Sequence, residues 1–416
     1  MSSSTDPKLG LSQDPTPDDT MLSGFHDAIK AAWHSPLRQN QNSQNAEHCF
    51  RAILPIVRRA GISRLADLTG LDRIGLPVVQ AVRPAALSEV TSLGRGLSIM
   101  EAAVGATMES LERFYAEAIP TERLVLATAN DLQIADGLFE NLLAPDCRSD
   151  WRRMAILWIR GIDVATGAEQ LIPVELVHTC YTDPPPPYDG LFIRTTTGLA
   201  CHTTASGALI HGVFECIERD AVARAFTTHG FFDRMRMDAF GLGKSVDHIM
   251  SLAGVRGIFF GLWHAPSPVK IPVVWCQAIE AGAGEPILAL PTEGYAAALS
   301  IEAAASSAML EALSARAGAI SGARDDQTRA HYRESTDVVV ANARQLILEA
   351  TPSKSSMAIE SFTALTLGGL IGEIVAAGLG PVLAVPLGSS GASCAQTAVR
   401  CVRTILPSAR PFSILR

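Results

Sequence analysis

The 416-residue chain has no excess of basic residues: Lys and Arg total 34 against 42 Asp and Glu, a formal net charge of −8. It therefore lacks the electrostatic footprint that nucleic acid or an anionic membrane surface requires. No two of its eight cysteines (Cys49, Cys147, Cys180, Cys201, Cys216, Cys276, Cys394 and Cys401) stand in a CxxC or other zinc-type spacing. They read as scattered small hydrophobes of a reducing compartment. Residues 1–19 are polar and show no basic stretch followed by an apolar core, so no secretory signal is expected and the cytoplasm is the expected location. A membrane span is not expected either. The most apolar region, 361–387, is interrupted by Glu373, Pro381, Pro386 and several glycines, and reads as a core helix followed by a strand.

What is present suits a globular enzyme of mixed architecture: 48% apolar and 18% charged residues, with 33 Gly and 24 Pro. At roughly 150 residues per domain the length corresponds to two or three core-sized units or one large domain. Residues 1–20 are rich in Ser, Asp and Pro, and 39–45 repeat Gln, Asn and Ser, bracketing one short helix over 21–33. The first 45 residues are read as a polar, partly disordered tail. From Cys49 onward helical and strand-like patterns alternate with no long linker, and the four prolines at 184–187 make a rigid surface loop.

Three segments have a helical period. In 97–118 the stripe is Met100, Val104, Met108, Leu111 and Tyr115, with Glu109 and Glu112 to one side. In 204–226 it is Leu209, Val213, Cys216 and Ile217, with His211, Glu215, Glu218 and Arg219 opposite. In 300–320 Met309, Leu313, Ala317 and Ile320 face the core and Glu311 points away. Strands are expected over 154–162, 171–177, 269–278 and 382–385.

Glu109 with Glu112 and Glu215 with Glu218 are Glu-x-x-Glu pairs, each about one helical turn apart. Either pair alone fits a solvated acidic face as well as a cation clamp. Their surroundings narrow the choice. The stretch AGISRLADLTGLDRIGLPVVQAVRP at 60–84, GRG at 94–96 and EAAVGATMESLERFYAE at 101–117 resemble the opening of the YcaO family. GLACHTTASGALIHGVFECIERDAVARAF at 198–226 resembles its central nucleotide-binding helix. EALSARAGAISGARDD at 311–326 and GPVLAVPL at 380–387 continue the likeness, which spans roughly 48–390.

The resemblance implies an α+β class, a YcaO-like mixed α/β fold over 46–416 with strands and helices around one nucleotide pocket. It implies ATP- and Mg2+-dependent activation of a backbone amide in a ribosomally made peptide, such as a bacteriocin, or in a protein. A nucleophile attacks the amide carbonyl, ATP phosphorylates the oxyanion and phosphate leaves, giving an azoline or a thioamide. Carboxylates suit this chemistry without a Gly-rich phosphate loop, because hard oxygen ligands hold Mg2+. By similarity Glu109, Glu112, Glu215 and Glu218 are metal ligands or anchors around the metal, Arg95 and Arg219 face phosphate, and Glu311 completes the cofactor-binding set. No catalytic residue is assigned.

The chain also departs from the family pattern. Arg95 replaces Lys, Gly105 replaces Ser, Thr203 and Gly207 stand where Asn and Glu are usual, and Ser307 replaces Arg. His202 occupies a position usually held by a small residue, as a new ligand or donor or as a histidine packed against the turn. These losses keep open a second reading, a degenerate YcaO-like scaffold that docks peptide for an active enzyme. The ending ARPFSILR lacks the proline-rich tail of many azoline formers. The segment from Ala60 resembles the branch that works beside a TfuA-like partner and is associated with thioamides. A TfuA-like or leader-binding partner and a homodimer are the expected assembly.

Overall fold

The structure, a computed structural model, describes residues 16–37, 43–145, 147, 150–322, 337–349, 365–388 and 399–412. Two helices, α1 (Pro17–Ala32) and α2 (Ser43–Arg59), open the chain. A three-stranded sheet follows, β1 (Arg64–Asp67), β2 (Val78–Val82) and β3 (Thr91–Arg95), and leads into α3 (Ile99–Glu117). Next come β4 (Leu124–Thr128), β5 (Ala155–Asp163), β6 (Glu169–Pro173) and β7 (Leu199–His202), then α4 (Ala205–Thr227). Short α5 (Phe231–Arg234), β8 (Arg236–Met237) and α6 (Lys244–Gly254) precede β9 (Ile258–His264), β10 (Val273–Glu280) and β11 (Thr292–Ala297). Then come α7 (Ile301–Ser321), α8 (Asp337–Arg344), α9 (Leu367–Ala376), β12 (Leu383–Leu387) and β13 (Arg400–Ile405).

The strands form three antiparallel sheets, ordered β1-β2-β3, β4-β5-β12-β13-β7 with β6 beside β5, and β11-β10-β9-β8. The strands β3, β7 and β11 each end a sheet, and each runs directly into a helix whose cap is a hydroxyl residue. Ser98, Thr204 and Ser300 accept a hydrogen bond from the backbone N–H three residues on, satisfying a donor the first turn leaves unpaired. Helix α3 lies on β3 and also touches β7; α4 lies on β7 and touches β11; α7 lies on β11 and touches β3. Three strand-helix units thus close into a ring.

The close approach that builds two of these units requires glycine. A Cβ on Gly94 of β3 would stand 1.9 Å from the Ala102 carbonyl oxygen of α3, and one on Gly294 of β11 would stand 2.1 Å from the Ala308 carbonyl oxygen of α7. Both facing helices present fully buried alanines there, Ala102 and Ala106 in one and Ala308 and Ala312 in the other, so strand and helix backbones pack with little between them.

The helices expected over 97–118, 204–226 and 300–320 are α3, α4 and α7. The strand expected over 171–177 ends at Pro173 and continues as a 3-10 turn, and the one expected from 269 begins at Val273. The helix and strand expected in 361–387 are α9 and β12, with 361–364 outside the described residues. The tail expected over 1–45 needs correction where α1 runs, Pro17–Ala32. Leu22, Phe25 and Ile29 of α1 are buried in the core, Asp18 pairs with Arg123 at 2.7 Å and Asp19 with Arg160 at 2.6 Å. An apolar stripe at i, i+3 and i+7 outweighs the polar composition around it. Among the described residues, no helix is long and apolar enough to cross a membrane.

Candidate functional site

Ser98 and Glu109, Thr204 and Glu215, and Ser300 and Glu311 are each eleven residues apart. Each of the three helices therefore presents a glutamate about three turns beyond its cap, on the same edge. The ring of helices turns these edges toward one another. Glu109 Oε2 accepts from the Leu93 N–H of β3 at 3.2 Å, Glu112 Oε1 from the Cys201 N–H of β7 at 2.8 Å, and Glu215 Oε2 from the Gly198 N–H at 3.0 Å. Glu311 Oε2 pairs with Arg95 Nη2 of β3 at 2.6 Å. Strand edges thus hold the carboxylates in place. The second oxygen of Glu112 and that of Glu215 make no hydrogen bond among the described residues.

Electrostatics shows how close the groups lie. Burial raises the Glu112 carboxyl well above its ordinary range, and the charges of Glu109 and Glu215 raise it further. Glu218, 9% exposed, is pushed up to about 8, first by burial, with Glu311 and Glu215 adding to it and Arg219 and Arg95 opposing it. Burial likewise raises Glu109 and Glu215. Five carboxylates, Glu109, Glu112, Glu215, Glu218 and Glu311, here meet four guanidinium groups, Arg95, Arg113, Arg219 and Arg403. Hard-oxygen donors left short of positive charge suit a divalent cation such as Mg2+. Among the described residues, no three His, Cys, Asp or Glu side chains are gathered tightly enough to hold a metal ion between them. That suits an ion taking one or two carboxylates and completing its shell with phosphate oxygens and water.

The altered positions border this centre. Arg95 is committed to Glu311 by the ion pair above. A Cβ on Gly207 would fall 2.1 Å from His202 Nδ1, so the imidazole fills the space that a side chain at 207 would take. His202 packs against the turn: its Nδ1 accepts from the Thr204 N–H at 3.1 Å, which leaves the proton on Nε2. A Cβ on Gly105 would meet the Cα of Gly94 at 3.4 Å, an ordinary contact. Ser307 lies half-buried on α7, one turn before Glu311.

Arg219 joins the carboxylates to a second region. Its Nε stands 3.4 Å from Glu218 Oε1 and 3.9 Å from Glu215 Oε1, and its guanidinium lies over Tyr295 at 5.6 Å and Phe412 at 6.0 Å. Beyond it opens a cavity of about 60 Å³ lined by Arg219 but by none of the five glutamates. Tyr295, Phe412 and Arg403, which also borders the cavity, were not singled out from the sequence. An arginine inside the apolar run CVRTIL was the one available signal for Arg403.

A profile of the family described as YcaO cyclodehydratase, ATP- and Mg2+-binding, matches residues 93–410. The chain belongs to the YcaO family. As a YcaO protein it is an ATP-dependent enzyme with ATP and Mg2+ as cofactors. An uncharacterized protein of Methanothermobacter thermautotrophicus is 30% identical over 279 residues, 65% of this chain and 70% of the relative. An uncharacterized protein in the tfuA 3' region of Rhizobium leguminosarum bv. trifolii is 27% identical over 354 residues, 81% of this chain and 82% of the relative. The YcaO fold is shared with the structure of YcaO from Methanopyrus kandleri bound with AMPPCP and Mg2+, at a TM-score of 0.65 and 21% identity over 88% of this chain and 91% of that one. It is shared too with a heterocyclase in complex with substrate and cofactor, at a TM-score of 0.67 and 15% identity over 92% of this chain and 55% of that one.

Proposed function

We propose that this YcaO chain activates a backbone amide of a peptide or protein, with a TfuA-like partner, and installs a thioamide in preference to an azoline. The observation that carries the reading is the convergence of Glu109, Glu112, Glu215 and Glu218, the first three held by backbone N–H groups and Glu218 beside Arg219, all raised in pKa by burial. In this reading one or two of them would bind Mg2+ and the others anchor the groups around it, with Glu311 anchoring Arg95 at the phosphate side. Bound Mg2+ neutralises phosphate charge as it redistributes. Arg219, oriented by Glu218 and two aromatic rings, presents a guanidinium to the transferred phosphate. The neighbour bound with AMPPCP and Mg2+, the heterocyclase neighbour and the relative from a tfuA region support nucleotide, peptide and partner in turn.

The test combines the protein, its partner, a candidate peptide, sulfide and MgATP. Phosphate release together with exchange of oxygen for sulfur in the peptide is expected; loss of water instead would reassign the product to an azoline. Peptide binding indifferent to ATP, with no phosphate released in any partner combination, would establish the scaffold reading in its place.

A further inference from the structure

Arg219 stands among carboxylates without being tied to them. Its Nε is 3.4 Å from Glu218 Oε1 and 3.9 Å from Glu215 Oε1, and its N–H groups make no hydrogen bond among the described residues. Arg113 of α3, by contrast, donates to Glu109. What holds the Arg219 guanidinium is the pair of rings it lies over, Tyr295 and Phe412. Attraction to an aromatic face engages none of the N–H donors, so they stay available to ligand oxygens. The Tyr295 ring is itself latched. Residues 293 and 295 project to the same side of β11, and there the Tyr295 hydroxyl donates to Glu293 Oε2. Gln277 stands opposite Glu293 across the β10–β11 pair, and its Nε2 donates to the other oxygen, Glu293 Oε1, at 2.6 Å. Trp275, opposite Tyr295, packs on the ring with centroids 5.3 Å apart. Glu293 therefore differs from Glu112 and Glu215, which each keep one oxygen without a hydrogen bond: both of its oxygens are engaged within the sheet.

We propose that Glu293 is a positioning residue for Arg219: by fixing the Tyr295 phenol it sets the ring on which the guanidinium rests, and so keeps the donors of Arg219 aimed at the site of phosphate transfer. The sequence gives no sign of this, since Glu293 is a single acidic residue in the strand TEGYAA. A negatively charged acceptor on the phenol also feeds electron density into the ring and strengthens its hold on a cation. Phe412 alone would leave the guanidinium free to swing onto Glu215 and Glu218, where its donors would be consumed. The role of Arg219 toward phosphate rests on the function proposed above; its immobilisation through Tyr295 and Glu293 does not.

The experiment uses the full chain and two readouts. In the ligand-free protein, 15N relaxation of the Arg219 Nε–H, assigned by its loss in Arg219→Lys, reports how rigidly the side chain is held. With partner, peptide and MgATP, phosphate release gives kcat and KM. The variants are Tyr295→Phe, which keeps the ring and removes the latch, Glu293→Ala, and the two combined. In each single variant the Arg219 order parameter is expected to fall from about 0.85 to below about 0.6, and kcat about tenfold with the KM for MgATP within about twofold. The double variant should be no worse than either single one, because Glu293 acts only through Tyr295. If Glu293→Ala does not fold, Glu293→Gln, which keeps an acceptor for the phenol but not the charge, should change both readouts in the same direction and by less. An Arg219 order parameter unchanged in the Glu293 variants, even with a lowered melting temperature, overturns the proposal, as do losses that multiply in the double variant. Wild type that releases no phosphate overturns the proposed function instead, and the relaxation of Arg219 still decides this inference.

Discussion

In α3 the arginine that follows the glutamate pair, Arg113, is 8% exposed and is shared between Glu89 at 2.8 Å and Glu109 at 3.3 Å. In α4 the arginine at the same place, Arg219, is half-buried and divides its attention between two glutamates and two aromatic rings at the mouth of a cavity. The two helices share the cap, both glutamates and the arginine at equal spacings. The helix α7 keeps the cap and the first glutamate but has Ser314 where the second would be. Charges at the end of α3 are closed within the protein, and Glu117 adds a bidentate pair with Arg83 at 2.7 Å, both side chains almost fully buried. Those of α4 remain open on one side. The repeated pattern therefore places its glutamates alike but does not fix the role of its arginine; the groups that neighbouring segments bring to it do.

The sharpest way to break this contrast is to neutralise one carboxylate on each helix. Glu218→Gln should cut phosphate release at least about a hundredfold while leaving the melting temperature equal or higher, since the charge removed is one that burial disfavours. Glu117→Gln should do the reverse. It strands Arg83 in the interior and should cost about 3–5 kcal/mol of stability by denaturant titration, with the MgATP affinity of the folded fraction unchanged. Equal effects of the two substitutions on turnover would show that the helices are not distinct in role.

The pH response tests the open side of α4. Folded Glu218 titrates at about 8 against an ordinary 4.5, so between those values the folded state keeps a proton that the unfolded chain has released. By linkage the stability of the ligand-free protein should fall as pH rises through that window. A bound cation favours the ionised carboxylate, so MgATP affinity should strengthen toward pH 8, with protons released on binding and detected by calorimetry in buffers of different ionisation enthalpy. Glu218→Gln should lessen both trends, and the fall in stability that remains comes from Glu112, Glu109 and Glu215, which burial also raises.

The smallest effect is expected at the start of α4. Gly207→Glu alone must displace His202 and break the acceptor it offers to the Thr204 N–H, a loss of about 1 kcal/mol that the better helix propensity of Glu over Gly roughly offsets. With His202→Ala added, the new carboxylate is free to turn inward, and MgATP should bind up to about tenfold more tightly. A double variant no tighter than wild type would place position 207 outside the cation's reach.

Much of this was legible in the sequence, for definite reasons. The helices α3, α4 and α7 announce themselves by apolar period, and i,i+3 spacing is enough to pair the glutamates. The helix α1 is hard to weigh from sequence because its three buried residues sit in a polar neighbourhood, and the apolar run outlasts Pro173, where β6 ends. The partners of the site were not legible. Tyr295 lies more than a hundred residues before Arg403 and Phe412, and all three acquire meaning only where the fold brings them to Arg219. The same holds for His202 and Gly207, which look like separate departures in one dimension and are a single exchange of volume in three.

The eleven-residue interval from cap to carboxylate also restricts how this chain can change length. Eleven residues at about 100° each make three turns and about 20°, which is why a glutamate so far from the helix start still lies on the starting edge. One residue inserted between Ser98 and Glu109 would swing the carboxylate by about 100° and lift it about 1.5 Å, into the packed alanines on one side or out to water on the other. Within these three segments side chains can be exchanged, whereas the residue count cannot drift. Changes in length belong instead in exposed connections, where no such ruler applies.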